Sequence, residues 1–354
     1  MAHRTVDAPR AIIVAVDLED PSRPIEPELE EFFALIEATG VRPVDTVVQR
    51  RAAVDPAYLV GRGKALELLE RAAEVHATHL FVLNELRPRQ RRNLEKLLPL
   101  PIVDRTMVIL DVFARHARSR EGKLQVELAQ LRYRQSNLLG AGADLSRLGG
   151  GVGTRGPGET KLETDRRRIA QRITHLSRAL DDVRRARRTR RSGHTREPLI
   201  ALVGYTNVGK SSLLNRLARS DVFVADQPFA TLDPTVRRVY LAPDRYARVV
   251  DTVGFITDLP KDLVNAFRAT LEELDEADLL LLVNDAANPD WPRQQASVLT
   301  ILHELGLDAK PRLALFNKTD AQGGELPALA GLPVSAKTGA GIEALRSELA
   351  QRFP

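Results

Sequence analysis

The sequence predicts an α/β protein built from a small N-terminal α/β domain, an antiparallel helical hairpin and a second, larger α/β domain. Three observations predict this fold class. Short apolar strands alternate with amphipathic helices at both ends of the chain. Between them, two long segments each carry a stripe of apolar residues, mostly leucine, at helical spacing. Eight of the 22 glycines fall within residues 140–160. Strands that alternate with helices are typical of parallel sheets covered by helices.

The N-terminal domain is expected over residues 1–105. AIIVAVD predicts a strand, and PELEEFFALIEAT carries apolar residues at helical spacing. Further strands are predicted at VDTVVQ and THLFVLNE, and further helices after YLVGRGK and across RPRQRRNLEKLL. In that last helix, the cluster of Arg87, Arg89, Arg91 and Arg92 is expected to form a solvated face, with contact to RNA as the alternative.

Residues 105–139 are predicted to be helical throughout. A helical hairpin is predicted over residues 106–192, because two apolar stripes at helical spacing flank the glycine tract. The stripes consist of Leu124, Leu128, Leu131, Leu138, Leu162, Ile169, Ile173, Leu176, Leu180 and Val183. Two such stripes favour antiparallel helices packed against each other. The glycine-rich residues 140–160 would form the loop at the tip, and residues 193–198 would be a linker.

Positive charge is concentrated in the second arm of this hairpin. Residues 161–191 hold twelve Lys/Arg and four Asp/Glu, a local net charge of +8, so within a chain total of +5 the other residues sum to −3. Such a concentration favours a polyanionic partner, most of all nucleic acid, over a merely solvated helix face. The candidate RNA contacts are Arg147, Arg155, Arg166, Arg167 and Arg168.

The overall composition is that of an ordinary globular protein, with 43% apolar and 28% charged residues among 354. The absence of cysteine excludes disulfides and thiolate metal sites. The N-terminus lacks the features of a signal peptide, and no run approaches the ~20 apolar residues of a membrane span. We therefore expect a cytoplasmic protein without a membrane span, and a monomer.

The second α/β domain is expected over residues 199–354, and its first strand–helix junction carries the strongest motif. In LIALVGYTNVGKSSLLNRLA, the segment from Gly204 to Ser211 matches G-x-x-x-x-G-K-[ST] between a strand and an apolar helix. Backbone N–H groups at such a helix N-terminus cradle phosphates. Lys210 would neutralise the β- and γ-phosphates, and Ser211 would bind Mg²⁺.

Three further motifs follow at predicted strand ends, in the order that a guanine-nucleotide site requires. In DTVG, Asp251 would support Mg²⁺ through water and the Gly254 N–H would reach the γ-phosphate. In NKTD, the Asp320 carboxylate can accept two hydrogen bonds that guanine offers and adenine does not. In SAK, residues 335–337, a backbone N–H would bind the guanine oxygen. Because open α/β sheets bind ligands at this edge, the four motifs together predict a GTP site.

The loop FATLDPT between these motifs is expected to supply a threonine that senses Mg²⁺ and the γ-phosphate. Thr231 is the preferred candidate and Thr235 the competitor, since spacing alone does not separate them. The candidate catalytic residues are Lys210, Thr231 and Gly254, and the candidate Mg²⁺ ligands are Ser211 and Thr231. The candidate nucleotide contacts are Gly204, Tyr205, Thr206, Asn207, Val208, Gly209, Lys210, Ser211, Ser212, Phe229, Ala230, Thr231, Leu232, Asp233, Asp251, Thr252, Val253, Gly254, Asn317, Lys318, Asp320, Ser335, Ala336 and Lys337.

The residue after Gly254 is Phe255, at the position where Ras-type proteins carry the glutamine that orients the attacking water. A phenylalanine cannot orient water, so hydrolysis should be slow unless another residue or a partner completes the site. We expect unstimulated turnover near ~10⁻⁴–10⁻² s⁻¹, the range of unassisted GTPases. A phosphate-release assay on the isolated chain measures this rate, and fast turnover without any partner would contradict the expectation.

Taken together, these residues resemble the HflX family of ribosome-associated GTPases. The segments that carry the resemblance are GGVGTRGPGETKLETDRRRI, GYTNVGKSSLLNRL, FATLDPTVRR, DTVGFI and YLVGRGK. The likeness extends over nearly the whole chain. It implies a Ras-like P-loop GTPase domain after the helical hairpin, with Ser211 and Thr231 on Mg²⁺ and with Asn317 and Asp320 reading guanine.

The resemblance also implies a function. It implies GTP-dependent binding to the large ribosomal subunit and its rRNA, with the N-terminal domain reaching the peptidyl-transferase region. It implies rescue of stalled ribosomes, including separation of their subunits, with hydrolysis stimulated by the ribosome. Many family members continue into a further C-terminal domain, whereas this sequence ends at Pro354, so functions assigned to that domain are not expected to carry over.

Two alternatives and one competing motif bear on this interpretation. Gly151, Gly153 and Gly156 match the G-x-G-x-x-G of dinucleotide sites, but no strand precedes them, so the tract is predicted to be a ribosome-probing tip.

A P-loop ATPase or kinase is disfavoured as an alternative function, because the NKTD motif is specific for guanine. A nucleotide-dependent regulatory switch with a protein partner and no direct RNA contact remains the alternative function.

Overall fold

The computed structural model describes residues 8–20, 23–148, 157–191, 197–219, 228–229, 231–257, 272–321 and 331–353. The chain divides into two compact units. The first comprises Met1–Arg115 and Val126–Ala179, and the second comprises His116–Gln125 and Leu180–Pro354. The domain boundaries expected from the sequence alone stay predictions.

The first unit is built on a four-stranded parallel sheet with the strand order β2-β1-β3-β4. The elements up to the hairpin are β1 (Arg10–Asp17), α1 (Ile25–Ala38), β2 (Arg42–Arg50), α2 (Arg62–Glu74), β3 (His79–Val82), α3 (Pro88–Leu97), β4 (Ile102–Asp104) and α4 (Arg105–His116). β1 lies between β2 and β3, and its residues 11–16 are all buried. A continuous apolar run is what a strand covered on both faces requires. The predicted alternation of strands and helices is therefore present.

The helical hairpin consists of α5 (Arg120–Leu148) and α6 (Pro157–Arg191). Glu127 of α5 pairs with Arg172 of α6 at 2.7 Å, and the Arg166 guanidinium donates to the Leu138 carbonyl at 2.7 Å. From the first contact to the second, the residue number rises in α5 and falls in α6. The two helices are therefore antiparallel, as the two leucine stripes predict.

The ends of these helices correct two predictions. The sequence predicts a loop over residues 140–160, but α5 continues to Leu148 and α6 begins at Pro157. The AGADLSRL segment contains enough good helix formers to extend α5, and proline is favoured in the first turn of a helix. Residues 149–156, which include Arg155, lie outside the described residues. Residues 105–139, predicted as helical throughout, are divided into α4 and α5 by residues 117–119.

One arginine of α3 is not on a solvated face, which corrects the expectation for its cluster. Arg91 donates to the buried Asp104 carboxylate at 2.5 Å, and the Tyr133 hydroxyl donates to the same carboxylate. Burial raises the pKa of Tyr133, so its hydroxyl keeps its proton and remains a donor. Because a buried charge requires a partner, Arg91 ties α3 to β4 and α5 instead of facing solvent.

The second unit contains a six-stranded sheet with the order β10-β9-β8-β5-β7-β6, in which only β6 is antiparallel to its neighbour. Its elements are β5 (Leu199–Gly204), α7 (Lys210–Ala218), β6 (Thr235–Ala242), β7 (Arg245–Asp251), α8 (Glu272–Glu276), β8 (Leu279–Asp285), α9 (Trp291–Glu304), β9 (Arg312–Asn317), a 3₁₀ turn (Thr319–Ala321), β10 (Leu332–Pro333) and α10 (Ile342–Arg352). The parallel strands bring their carboxyl ends to one edge, where the loops that follow them meet. None of the helices in the described part of the chain combines the length and apolarity needed to span a bilayer.

Candidate nucleotide site

A cavity of about 500 Å³ lies where the loops after β5, β7, β9 and β10 meet. The residues that line it are Thr206, Asn207, Gly209, Lys210, Ser211, Ser212, Phe229, Thr231, Thr252, Gly254, Asn317, Lys318, Asp320, Ala321, Ala336 and Lys337. All of them belong to the second unit. The fold thus brings together, around one cavity, the motifs that the sequence carries at separate strand ends.

The loop between β5 and α7 is held in shape by Asn317 at the end of β9. The Asn317 side-chain amide donates to the Val208 carbonyl at 2.8 Å, and its oxygen accepts the Ala336 N–H at 2.9 Å. Gly209 has a φ of +89°, and a Cβ at this position would overlap with the Asn317 amide. Only glycine allows both the left-handed backbone and this close approach. The phosphate motif and the base motif are therefore packed directly against each other.

Lys210 is the first residue of α7, and it is buried. Its ammonium group donates to the Gly204 carbonyl at 3.1 Å and to the Tyr205 carbonyl at 2.7 Å. Burial lowers the pKa of Lys210 to about 8, although the Asp251 carboxylate acts in the opposite direction. Burial also raises the pKa of Asp251. A phosphate beside Lys210 would favour the charged ammonium, as a phosphate-binding lysine requires.

Ser211, Thr231 and Asp251 bring several oxygen ligands together. The Ser211 and Thr231 hydroxyls donate to Asp251 Oδ2 at 2.5 and 2.8 Å, and the two hydroxyl oxygens lie 2.8 Å apart. Asp251 is 2% exposed, and its Oδ1 atom has no hydrogen-bond partner within the described residues. A cation that prefers oxygen ligands, such as Mg²⁺, fits this set, because the cation or its water would satisfy the buried oxygen.

The two candidate switch threonines lie in different places. Thr231 contributes its hydroxyl to the oxygen cluster and lines the cavity. Thr235 is the first residue of β6 and pairs with Asp251 in the β6–β7 ladder. It does not belong to the cavity lining in the described part of the chain. The geometry therefore favours Thr231 over Thr235 as the residue that would sense Mg²⁺.

The base end of the cavity is organised around Asp320. The Ser335 hydroxyl donates to Asp320 Oδ1 at 2.6 Å, and this hydrogen bond is the main cause that lowers the pKa of Asp320. The carboxylate is therefore ionised at neutral pH and keeps free lone pairs for further donors. Ser335 is fully buried and also accepts the Thr338 N–H at 3.0 Å, which fixes its orientation. The Ala336 N–H, one candidate donor to the guanine oxygen, is bonded to Asn317 in this structure.

Several predicted contact residues lie outside the cavity lining. Val208, Leu232 and Val253 are buried apolar side chains. Thr252 lines the cavity, but its hydroxyl donates to the Leu202 carbonyl at 2.6 Å. Ala230 lies outside the described residues. The other predicted contacts that do not line the cavity are Gly204, Tyr205, Asp233, Asp251 and Ser335.

The Phe255 side chain is buried, with 2% exposure. Its backbone forms hydrogen bonds with the phosphate loop. Its N–H donates to the Gly204 carbonyl at 3.1 Å, and its carbonyl accepts the Thr206 N–H at 2.8 Å. Two residues further on, the Thr257 N–H donates to the Tyr205 hydroxyl at 2.8 Å. Phe255 thus contributes a buried ring and two backbone hydrogen bonds. It offers no side-chain group that could orient water.

Two supporting residues were missed by the sequence analysis. Arg216 of α7 donates to the Ala336 carbonyl at 3.0 Å and also to the Lys337 carbonyl, across 120 residues of sequence. Asp285, the last residue of β8, pairs with Lys318 at 2.8 Å. Asp285 could have been found from the sequence, because it is a carboxylate at the end of a predicted strand. No local pattern points to Arg216, because its partners are backbone carbonyls far along the chain.

Three family models match consecutive parts of the chain. A model described as GTP-binding GTPase N-terminal matches residues 26–114, and one described as GTP-binding GTPase Middle Region matches residues 116–194. A third, described as 50S ribosome-binding GTPase, matches residues 199–318 and so contains most of the cavity. The order of the three models follows the order of the elements described above.

Curated relatives are similar over most of their length. A protein named GTPase HflX from Lacrimispora saccharolytica is 45% identical over 343 residues, which cover 95% of this chain and 81% of the relative. The chain belongs to the HflX family of GTPases. The GTPase HflX of Escherichia coli (strain K12) is 43% identical over 336 residues, covering 92% of this chain and 79% of the relative. This HflX-family protein therefore binds GTP and GDP and hydrolyses GTP.

A solved structure supports the fold of this HflX-family chain. The crystal structure of the SsGBP and GDP complex matches with a TM-score of 0.53 and 25% identity, covering 97% of this chain and 98% of that chain. The predicted fold class, an N-terminal α/β unit followed by a P-loop GTPase unit, is confirmed. That relative is described with GDP, which agrees with a guanine-nucleotide cavity in the same class of protein.

Proposed function

We propose that this HflX-family GTPase binds the large ribosomal subunit and its rRNA in the GTP-bound state and rescues stalled ribosomes by promoting separation of their subunits. Hydrolysis is stimulated by the ribosome. The observation that carries the proposal is a basic helical hairpin joined in one chain to a guanine-nucleotide unit. The match of residues 199–318 to a model described as 50S ribosome-binding GTPase supports ribosome association.

The hairpin is suited to contact an RNA backbone. Arg167 and Arg168 of α6 are exposed, whereas Arg166 is half-buried and donates to the Leu138 carbonyl of α5. Guanidinium groups bind phosphates through paired hydrogen bonds, so exposed arginines on one helix make a phosphate-binding surface. We therefore assign rRNA contact to Arg167 and Arg168, and an internal role to Arg166. Arg147 lies near the predicted tip, in α5.

The phosphate end of the cavity would act by positioning and by charge stabilisation. N–H groups at the start of α7 would cradle the β-phosphate, Lys210 would neutralise the β- and γ-phosphates, and the Gly254 N–H would donate to the γ-phosphate. Mg²⁺ held by Ser211 and Thr231 would neutralise the charge that builds on the phosphate oxygens. These groups hold the reacting atoms in place, and little covalent chemistry is left for the protein.

The base end would select guanine. Asp320 is ionised and offers carboxylate oxygens to the two neighbouring N–H donors of guanine. Asn317 holds the phosphate loop and the SAK loop together, so that the phosphate and base subsites keep a constant spacing. Adenine lacks this pair of donors and would leave the carboxylate unsatisfied, which is the most discriminating kind of mismatch.

Stimulation by the ribosome follows from Phe255. Because its ring is buried and its backbone is bonded to the phosphate loop, no side chain at this position orients the attacking water. A partner that places or orders a water-orienting group would then supply the missing part of the site. Conversely, the isolated protein would hold GTP long enough to find a ribosome before hydrolysing it.

Ribosome pelleting tests the proposal. We expect the protein to co-sediment with 50S subunits in a non-hydrolysable GTP analogue, and much less in GDP or without nucleotide. Between 50 and 200 mM salt the affinity should fall by roughly 10³-fold if six or more phosphates are contacted. The double variant Arg167→Ala/Arg168→Ala should bind more weakly and with a shallower salt dependence.

The matched control is Arg185→Ala, on the same helix but ion-paired with Asp182. It should bind as the parent protein does. Absence of co-sedimentation in the GTP analogue would overturn ribosome binding. Binding that does not change with salt would instead favour a regulatory switch with a protein partner.

A further inference from the structure

Asp233 of the FATLDPT loop binds the two residues that directly precede α5. Its Oδ2 atom accepts the Arg118 N–H at 2.8 Å and the Ser119 N–H at 2.7 Å, and its Oδ1 atom accepts the Ser119 hydroxyl. These N–H groups directly precede Arg120, the first residue of α5. The contact lies within the second unit, to which residues 116–125 belong. A carboxylate at this place satisfies two backbone N–H groups just before the helix and lies close to the positive end of the helix dipole.

The surroundings of this contact are built for the close approach of a carboxylate. The Ser119 hydroxyl accepts the Gly122 N–H at 2.9 Å, so Ser119 is the N-cap residue of α5. Asp233 in turn accepts hydrogen bonds from Ser119. A Cβ at Gly122 would overlap with Asp233 Oδ1. Glycine is disfavoured inside helices, so its presence in the first turn is explained by the space that Asp233 occupies.

The same loop reaches the oxygen cluster of the nucleotide cavity two residues earlier. Thr231 contacts Ser211 and Asp251, and Leu232 between the two polar residues is 1% exposed. Thr231 is therefore fixed at the cavity, Leu232 in the core and Asp233 at the start of α5. Each residue of an extended chain spans only ~3.3–3.6 Å, so Thr231 and Asp233 have little freedom to move independently.

We propose that Asp233 is a positioning residue for GTP hydrolysis: it holds the loop so that Thr231 reaches the Mg²⁺ cluster, and it links the nucleotide state to the N-terminus of α5. The proposal rests on the proposed role of Thr231 and is independent of ribosome binding. Thr231 would bind Mg²⁺ in the GTP-bound protein, and because Asp233 follows it by two residues, the order of Thr231 would extend to Asp233 and to the first turn of α5. Because binding linkage is reciprocal, displacement of this turn by a partner loosens Thr231.

Two variants remove the contact from opposite sides. Asp233→Ala removes the carboxylate, and Gly122→Ala places a methyl group where Oδ1 lies. Each should raise the Mg²⁺ concentration for half-maximal hydrolysis and lower kcat by roughly 3- to 30-fold, the range that corresponds to loss of a helix cap. GDP affinity should not change, because the γ-phosphate and its Mg²⁺ order such loops. The double variant should be no worse than either single variant.

The chain offers matched controls for both changes. Asp55 also accepts two backbone N–H groups, those of Ala57 and Tyr58, both at 2.8 Å, but in the first unit. Gly63 lies in α2 with nothing within 4 Å of a Cβ added there. Asp55→Ala and Gly63→Ala should leave the Mg²⁺ dependence unchanged, although they alter the same kinds of backbone interaction.

Amide hydrogen exchange measures the link directly. The amides of Arg118 and Ser119 should exchange more slowly with a GTP analogue than with GDP, and Asp233→Ala should abolish that difference. Equal exchange in both nucleotide states of the parent protein would overturn the link to α5. An unchanged Mg²⁺ dependence in both variants, or an equal loss of GDP affinity, would overturn the positioning role. A failure to pellet with ribosomes would leave these outcomes untouched, so the two proposals fail separately.

Discussion

Replacing Asp320 with asparagine will move the base preference of this GTPase from guanine to xanthine. Asp320 is ionised and held by the Ser335 hydroxyl at 2.6 Å, so its carboxylate oxygens can accept hydrogen bonds only. In Asp320→Asn, an amide N–H would meet the guanine N–H groups, and two donors would face each other. We expect GTP affinity to fall by roughly 10³-fold or more, because a polar site that loses its matching partners discriminates strongly.

Xanthine carries a carbonyl where guanine carries its exocyclic amino group, so xanthosine triphosphate should bind Asp320→Asn more tightly than the parent protein. Titration with fluorescent guanosine and xanthosine nucleotides measures both affinities. Asp275→Asn, on an exposed acid of the same unit, is the control and should leave both affinities unchanged. Retention of parental GTP affinity by Asp320→Asn would exclude Asp320 as the residue that reads the base.

Replacing Thr231 with alanine will slow GTP hydrolysis by roughly 10²-fold, the magnitude typical of losing one group that stabilises a transition state. The Thr231 hydroxyl lies 2.8 Å from both Ser211 Oγ and Asp251 Oδ2, so its removal takes one oxygen from the proposed Mg²⁺ cluster. Thr231→Ser keeps the hydroxyl and should retain most of the activity. Single-turnover phosphate release at several Mg²⁺ concentrations separates a loss of Mg²⁺ binding from a loss of rate.

The matched control for this prediction is Thr235→Ala, four positions along the same segment. Thr235 is half-buried in β6 and does not line the cavity, so its loss should change the rate by no more than about twofold, since no contact to the cavity is removed. If Thr235→Ala were the slower variant, the assignment of the switch threonine to Thr231 would be wrong. Measurement of GDP affinity for all three variants checks that the cavity itself is intact.

The chemistry of the nucleotide cavity could be predicted because its residues lie in short continuous motifs. Gly204 to Ser211 occupy one strand–helix junction, and Asp251, Asn317 and Asp320 lie at or just after the ends of other parallel strands. Since parallel strands present their carboxyl ends at one edge, their order in the sequence already implies convergence. The choice between Thr231 and Thr235 was not predictable from spacing alone, because only the fold shows that Thr231 donates to the Asp251 carboxylate and lines the cavity, whereas Thr235 belongs to β6.

Residues whose partners are distant in sequence could not be assigned from patterns. Arg91 looked like one member of a solvated cluster, but the Asp104 carboxylate and the Tyr133 hydroxyl make it an internal residue. Arg166 occurs in a run of three arginines, yet it binds a carbonyl of the neighbouring helix. Charge and spacing are the same for buried and exposed arginines, so only the neighbours distinguish them.

Local sequence was sufficient for the α/β class, the hairpin and the nucleotide chemistry, since hydrophobic periodicity and glycine placement act over a few residues. The tertiary structure decided which side chains support that chemistry. The clearest case is Asp233, whose partners Arg118 and Ser119 are 115 and 114 residues away. Hydrogen bonds between segments so far apart depend on how the sheet and helices pack, and no periodicity in the chain encodes that distance.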